Sequence, residues 1–149
     1  MVPEIFNIEI SGYWLDADKS GIPNHSGVYF VYEYTYNKEK DIVTIHKLIY
    51  IGESDKVCDR IADHKKYDDW KNHVRSGNTL CYSTGRVSET YRKRIEAAYI
   101  FKYKPPENEE YVDSFPFDKT TVNSSGKTAL LNTAFTVYKT WVYAKIIYI

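Results

Sequence analysis

Long apolar runs, paired cysteines and a surplus of either charge are all missing from this chain of 149 residues. Its two cysteines, Cys58 and Cys81, are too few for a disulfide framework and stand outside any metal-ligand spacing, so they are expected as free thiols without a role. No stretch approaches the ~20 apolar residues of a membrane span. Met1 to Asp16 holds no basic region followed by an apolar run, so no secretory leader is expected and the setting reads as intracellular, in the cytoplasm. Twenty basic and twenty acidic side chains cancel, which argues against a uniformly basic coat for a polyanion. The length fits one domain, residues 1–149, and leaves no room for a separate recognition module. There is no internal repeat and no low-complexity linker.

What the chain does have is tyrosine, fifteen in all. Tyrosine combines apolar area with a hydrogen-bonding tip and suits strands, interfaces and base-stacking surfaces alike. The charge is also uneven. Between Lys56 and Lys104 twelve Lys or Arg face six Asp or Glu, an excess of six, which serves either a phosphate-contacting face or a solvated helix surface.

Phe6 to Leu15 alternates as a short strand, and Asp16 to Ser26 reads as a loop. Gly27 to Tyr36 (GVYFVYEYTY) and Ile42 to Ile51 (IVTIHKLIYI) are β-branched and aromatic runs joined by the polar NKEKD, a hairpin. A turn symmetric about Glu39 and Lys40 sets Tyr29 opposite Tyr50 on one face. Ser54 is placed to cap a helix running to about Lys66, with Arg60 and His64 four apart beside its apolar stripe. A second helix is expected over Asp68 to Arg75, a strand over Thr79 to Ser83, and a helix from a Ser88 cap through Tyr103, closed by Pro105 and Pro106. In that last helix Glu96 stands alone among six apolar side chains, either paired with Arg92 one turn back or kept for coordination. Glu109 to Asp113 and Lys119 to Lys127 have no clear pattern, and the aromatic tail Phe135 to Ile149 alternates enough for one or two strands. Together these elements give an α+β class: a small antiparallel sheet, the central hairpin plus a further strand, flanked by helices.

Gly27-Val28-Tyr29 followed by Tyr50-Ile51-Gly52 resembles the paired strand motif of the GIY-YIG nucleases, with Val28 where isoleucine is usual. Arg60 and His64 resemble the family's arginine and the histidine or tyrosine four residues later. Glu96, within Arg94-Ile95-Glu96-Ala97-Ala98-Tyr99-Ile100, resembles its metal-binding glutamate, and Asn108 after Lys104-Pro105-Pro106 its following asparagine; Asn132 is the weaker occupant of that role. The likeness covers a core of about residues 26–108, leaving 109–149 as an extension, and the spacing of His64 and Asn108 is similar to the restriction-endonuclease branch. It implies a GIY-YIG endonuclease-like fold, DNA as substrate, and Mg²⁺ or Mn²⁺, one ion per active site.

Hydrolysis of a phosphodiester needs an in-line water, a base and positive charge on the phosphate. By resemblance, Glu96 holds the ion and Tyr29 is the base, a demanding role for a phenol of ordinary pKa about 10. His64 is the other candidate base, or the acceptor of the proton from Tyr29. Arg60 suits the phosphate charge, Tyr50 would orient water or phosphate, and Asn108 would position its neighbours. Lys47, Lys56, Lys65 and Lys104 are the candidate phosphate contacts. A restriction-like enzyme would act as a homodimer. Two other readings stay open: a non-catalytic DNA- or protein-binding module on the same fold, and a structure-selective nuclease subunit that needs a partner for targeting.

Overall fold

The Tyr-rich and β-branched runs on either side of the polar turn pair antiparallel as β2 (Gly27–Asn37) and β3 (Ile42–Ser54), the most extensive strand pairing among the described residues. The computed structural model describes residues 2–141. Around the hairpin lie β1 (Glu4–Leu15), β4 (Thr79–Arg86), β5 (Thr120–Gly126) and β6 (Ala134–Val137), with α1 (Val57–Ala62), α2 (Tyr67–Lys71) and α3 (Arg92–Tyr103). The six strands form one sheet in the order β3-β2-β4-β1-β5-β6. This corrects the small antiparallel sheet expected above: β1 and β5 run parallel, from Glu4 opposite Thr120 to Ile10 opposite Gly126. The patternless Lys119–Lys127 supplies β5, because its Thr and Ser residues alternate with Val122 and need no apolar outer face. The α+β class stands.

Alternation along each strand divides the side chains into two layers. Ile8, Ile10, Val28, Phe30, Tyr32 and Val122 turn to one face and pack under Ile95, Ala98 and Tyr99 of α3. Tyr29, Val31, Leu80 and Tyr82 turn to the other, under Val57 and Ile61 of α1 and Trp70 of α2.

Several local expectations change. At the turn end Tyr34 faces Ile45 and Asn37 faces Ile42, the symmetric pairing expected. Two irregularities, beside Tyr34 and beside Tyr32, each add a residue to β3, so Val31 faces Tyr50 and Tyr29 faces Gly52. One insertion would have flipped every later side chain; two restore the face. Asp16–Gly21 is a 3-10 turn rather than open loop. α1 ends at Ala62, well short of Lys66, which leaves His64 in the connection to α2, and α2 stops at Lys71 instead of reaching Arg75. Neither expected serine is a side-chain cap of its helix. Ser54 ends β3, and its hydroxyl accepts from the Lys56 N–H at 3.0 Å before the helix begins; Ser88 receives the Tyr91 and Arg92 N–H groups on its carbonyl oxygen. The tail contributes β6, and its residues 142–149 lie outside the described residues.

Among the described residues no helix is long and apolar enough to cross a membrane. Cys58 is half-buried and Cys81 buried, both as thiols.

Candidate active site

Gly52 sits directly across from Tyr29, and a Cβ there would fall on the Cζ and hydroxyl of the Tyr29 ring. The missing side chain therefore lets the phenol lie over β3, the outer strand of the sheet. Tyr50, diagonal to it on the same face, brings its ring centroid to 6.2 Å. Both phenols line a pocket of about 190 Å³ together with Glu53, Arg60, Lys93, Glu96, Glu110 and Tyr111. Four of the six residues singled out by sequence thus share one polar hollow.

His64 joins them through Tyr29 rather than by lining the pocket. Its Nε2 lies 3.0 Å from the Tyr29 hydroxyl, and its ring rests 4.4 Å from Trp70 by centroids. The Lys66 backbone N–H donates to Nδ1 at 3.0 Å. Burial, then the charges of Arg60, Lys65 and Lys66, push the imidazole down to about 4, so it is neutral near pH 7. A neutral ring that accepts at Nδ1 carries its proton on Nε2. His64 consequently donates to the Tyr29 oxygen, and between the two roles left open by sequence this tautomer does not take a proton from Tyr29.

Asn108 acts at one remove. Its Oδ1 accepts from the Ile51 N–H at 3.0 Å and its Nδ2 donates to the Ile51 carbonyl at 2.8 Å, while the Glu107 N–H bonds Ile49. The amide behaves as a one-residue strand on the open edge of β3 and fixes the loop that carries Glu110 and Tyr111 to the pocket. Asn132, the alternative asparagine, is far from this: its side chain accepts from Tyr103.

Glu96 is partly buried on α3 and forms no ion pair among the described residues. Arg92, one of the two alternatives left open for Glu96, turns instead to Glu53, with Nε 2.7 Å from Oε2. Burial, then Glu53 and Glu110, raise the Glu96 carboxyl to about 8, against a smaller pull from the Glu53 N–H and Lys93. Tyr29 is pushed far above the ordinary phenol range by burial and by Tyr50, with Arg60 opposing, and Tyr50 is raised by burial and Glu96. The exposed Arg60 likewise has no ion pair among the described residues.

The candidate lysines divide. Lys56 and Lys65 are exposed. Lys47 donates to His73, whose other nitrogen meets Glu107 at 2.6 Å, and Lys104 donates to the Val112 carbonyl while lying over Phe101. Those two have protein partners that hold the loop after α3.

Sequence reading missed Glu53, Lys93, Glu110 and Tyr111. Glu53 directly follows the Gly52 that admits the phenol, and Lys93 precedes Glu96 by one helical turn, so both positions carried a signal. Glu110 and Tyr111 carried none, because a clamped loop has no periodicity.

No three His, Cys, Asp or Glu side chains among the described residues gather closely enough to ligate one ion by themselves. The acids do fit an ion held partly by other ligands. One unpaired carboxylate, raised by two neighbouring carboxylates, is relieved by a divalent cation that takes waters or phosphate oxygens for its remaining positions. No protein-family model, no curated protein and no solved structure matches the chain.

Proposed function

We propose that this chain is a divalent-metal-dependent DNA endonuclease of the GIY-YIG class that hydrolyses phosphodiester bonds inside the cell. One observation carries the reading: Tyr29, Tyr50, Arg60 and Glu96, drawn from the two strands of the hairpin and from α1 and α3, line a single polar pocket, with His64 bonded to Tyr29.

Each group then has a task. Arg60 donates its planar fork to the phosphate and stays charged at every working pH. Glu96 would hold Mg²⁺ or Mn²⁺, with Glu53 and Glu110 adding negative potential. The bound ion would supply positive charge against the charge that develops on the phosphate. Tyr29 orients the attacking water and, once its own hydroxyl proton has passed to solvent at the pocket mouth, takes the water's proton as a phenolate; the Arg60 charge and the His64 Nε2–H favour that phenolate against the burial that opposes it. Tyr50 holds the phosphate or water on the open side, and Asn108 keeps the Glu110–Tyr111 loop against β3. A chain with one such pocket cuts one strand, so cutting both strands of a symmetric site would take a two-fold pair.

The binding-module reading draws on one specific observation, the raised phenol of Tyr29, which burial alone would keep protonated. Incubation of supercoiled plasmid with the purified protein decides between them. The nuclease reading expects nicked or linear product with Mg²⁺ or Mn²⁺ and none with EDTA. Binding without cutting under every divalent ion would leave the binding module.

A further inference from the structure

Three cations open α3, Arg92, Lys93 and Arg94, and the fold uses two of them. Arg92 donates from Nε to Glu53 at 2.7 Å and from Nη1 to the Ser26 hydroxyl at 3.0 Å. Arg94 is buried and donates to the Thr120 hydroxyl and to the carbonyls of Val2, Asp118 and Lys119. Lys93, between them, is exposed and forms no ion pair among the described residues. It nonetheless lines the candidate pocket, one helical turn before Glu96. The roles assigned to the pocket so far leave this amine unused.

The pocket is built around the edge of the sheet. β3 is the outer strand, and the lining side chains reach it from both layers. Tyr29, Tyr50 and Arg60 belong to the layer of α1 and α2, with His64 behind the Tyr29 hydroxyl. Lys93 and Glu96 come from α3 on the opposite layer, and Glu53 joins them through its bond to Arg92. In-line displacement sets the attacking and leaving oxygens on opposite sides of the phosphorus. With Tyr29 holding the attacking water on the α1 side, the leaving oxygen points to the α3 side. Of the two cations that line the pocket, Arg60 stands on the first side and Lys93 on the second. Lys93 also borders a second hollow, of about 600 Å³ and lined by Tyr91 and Phe117 among others, so the departing side has room for a nucleotide.

We propose that Lys93 is a catalytic residue, the acid whose ammonium gives a proton to the leaving sugar oxygen. It rests on the nuclease reading for the reaction and adds how the departing strand is released. The water oxygen bonds to phosphorus, and the water's proton goes to the Tyr29 phenolate. The bond from phosphorus to the leaving oxygen breaks, its electron pair stays on that oxygen, and a proton from Lys93 Nζ joins it. The products are a phosphate monoester and an alcohol. Before the next turnover Tyr29 gives its proton to solvent and the Lys93 amine takes one back. A sugar alkoxide is strongly basic and departs slowly unless protonated, so a positioned acid is worth about 10²–10⁴ in rate. Arg60 does not serve this task, because a guanidinium keeps its proton at every working pH.

The test replaces the leaving oxygen by sulfur, which departs as a thiolate and needs no proton. Wild-type cleavage of a DNA duplex with Mn²⁺ maps the cut, and the end that keeps the phosphate identifies the oxygen that leaves. Ordinary and sulfur-bridged duplexes of that sequence are then cut at saturating concentration by the wild type, Lys93→Met, Lys93→Arg and Arg60→Ala. Affinity for the ordinary duplex is measured in EDTA, and circular dichroism checks that the exposed substitutions leave the fold intact. Both Lys93 variants should cut the ordinary duplex about a hundredfold more slowly, with affinity and cutting of the sulfur duplex within about threefold of wild type. Arg60→Ala should stay slow on both. Equal slowing of the two duplexes by Lys93→Met would make Lys93 a phosphate contact and overturn the proposal. A loss confined to affinity, undiminished cutting, or full activity of Lys93→Arg on the ordinary duplex would overturn it as well, each leaving the nuclease reading intact. No cutting of either duplex by the wild type with Mn²⁺ or Mg²⁺ would end the nuclease reading, and the role of Lys93 with it.

Discussion

Glu96 is where the chemistry and the stability of the protein meet. In the unfolded chain its carboxyl has the ordinary value of 4.5, and in the fold it is raised to about 8. Between those values the native state holds a proton that the unfolded state has lost, so the stability linked to Glu96 declines as pH rises through that window and levels off above it. Thermal melts from pH 5 to 9 without divalent ions should therefore show a falling Tm, and Glu96→Gln should flatten that fall. Added Mg²⁺ should raise Tm by a few degrees at pH 8.5 and much less at pH 6, because the ion binds the carboxylate and competes with its proton. Equal stabilisation at both pH values would remove Glu96 as the ligand. His64 behaves differently. Pushed down to about 4, it is already neutral across that range, so its titration contributes no limb to the cleavage rate above pH 6. Loss of the Nε2 donor in His64→Phe should slow cleavage at least tenfold while leaving a profile of the same shape. A new limb near pH 6 in the wild-type profile that vanishes in this variant would contradict the assigned tautomer.

At the scale of elements, β3 carries the geometry of the pocket through a glycine and two insertions. Gly52→Ala puts a methyl on the Tyr29 ring, which has to leave its place over the strand. The expected cost is about 1–3 kcal/mol of stability, with cleavage lost at temperatures where circular dichroism still reports a folded chain. Asn108→Ala strands the Ile51 N–H and carbonyl on the strand edge. It should cost about 1–3 kcal/mol by denaturant melts and lower cleavage through the displaced Glu110 and Tyr111; a neutral effect on both would show that the clamp is dispensable. Much of this was legible in the sequence, in unequal parts. The hairpin, the long helix and the order of Tyr29, Tyr50, Arg60, His64, Glu96 and Asn108 follow from pattern and resemblance, because strand and helix periods are written in the side chains. The insertions in β3 were not legible, since a bulge answers to the twist of neighbouring strands and not to composition. Nor was the early end of α1. The connection that carries His64 is fixed by the bond to Tyr29 and the tilted packing on Trp70, tertiary contacts that override a continuous helical pattern. β5 escaped for a similar reason, as a strand whose parallel partner β1 lies more than a hundred residues away.

Across the whole molecule, one sheet serves two layers with different duties. α3 seals the first face and delivers Glu96, and α1 with the connection after it covers part of the second face and delivers Arg60 and His64. The neutral total charge carries through to the pocket, where Arg60 and Lys93 face Glu53, Glu96 and Glu110, while acids such as Glu33 and Asp16 are spent on internal hydrogen bonds. Binding to DNA should thus weaken with salt more gently than for a strongly basic protein, with a slope reflecting a few phosphate contacts. The pocket as a metal-dependent phosphodiesterase is tested most directly by cleavage of one plasmid substrate by wild type and by Glu96→Gln at saturating Mg²⁺, with duplex affinity measured in parallel. The geometry predicts cutting by the wild type, none detectable by the variant, and affinities within about threefold of each other. Undiminished cutting by Glu96→Gln, or no cutting by either protein with Mg²⁺ or Mn²⁺, would contradict it.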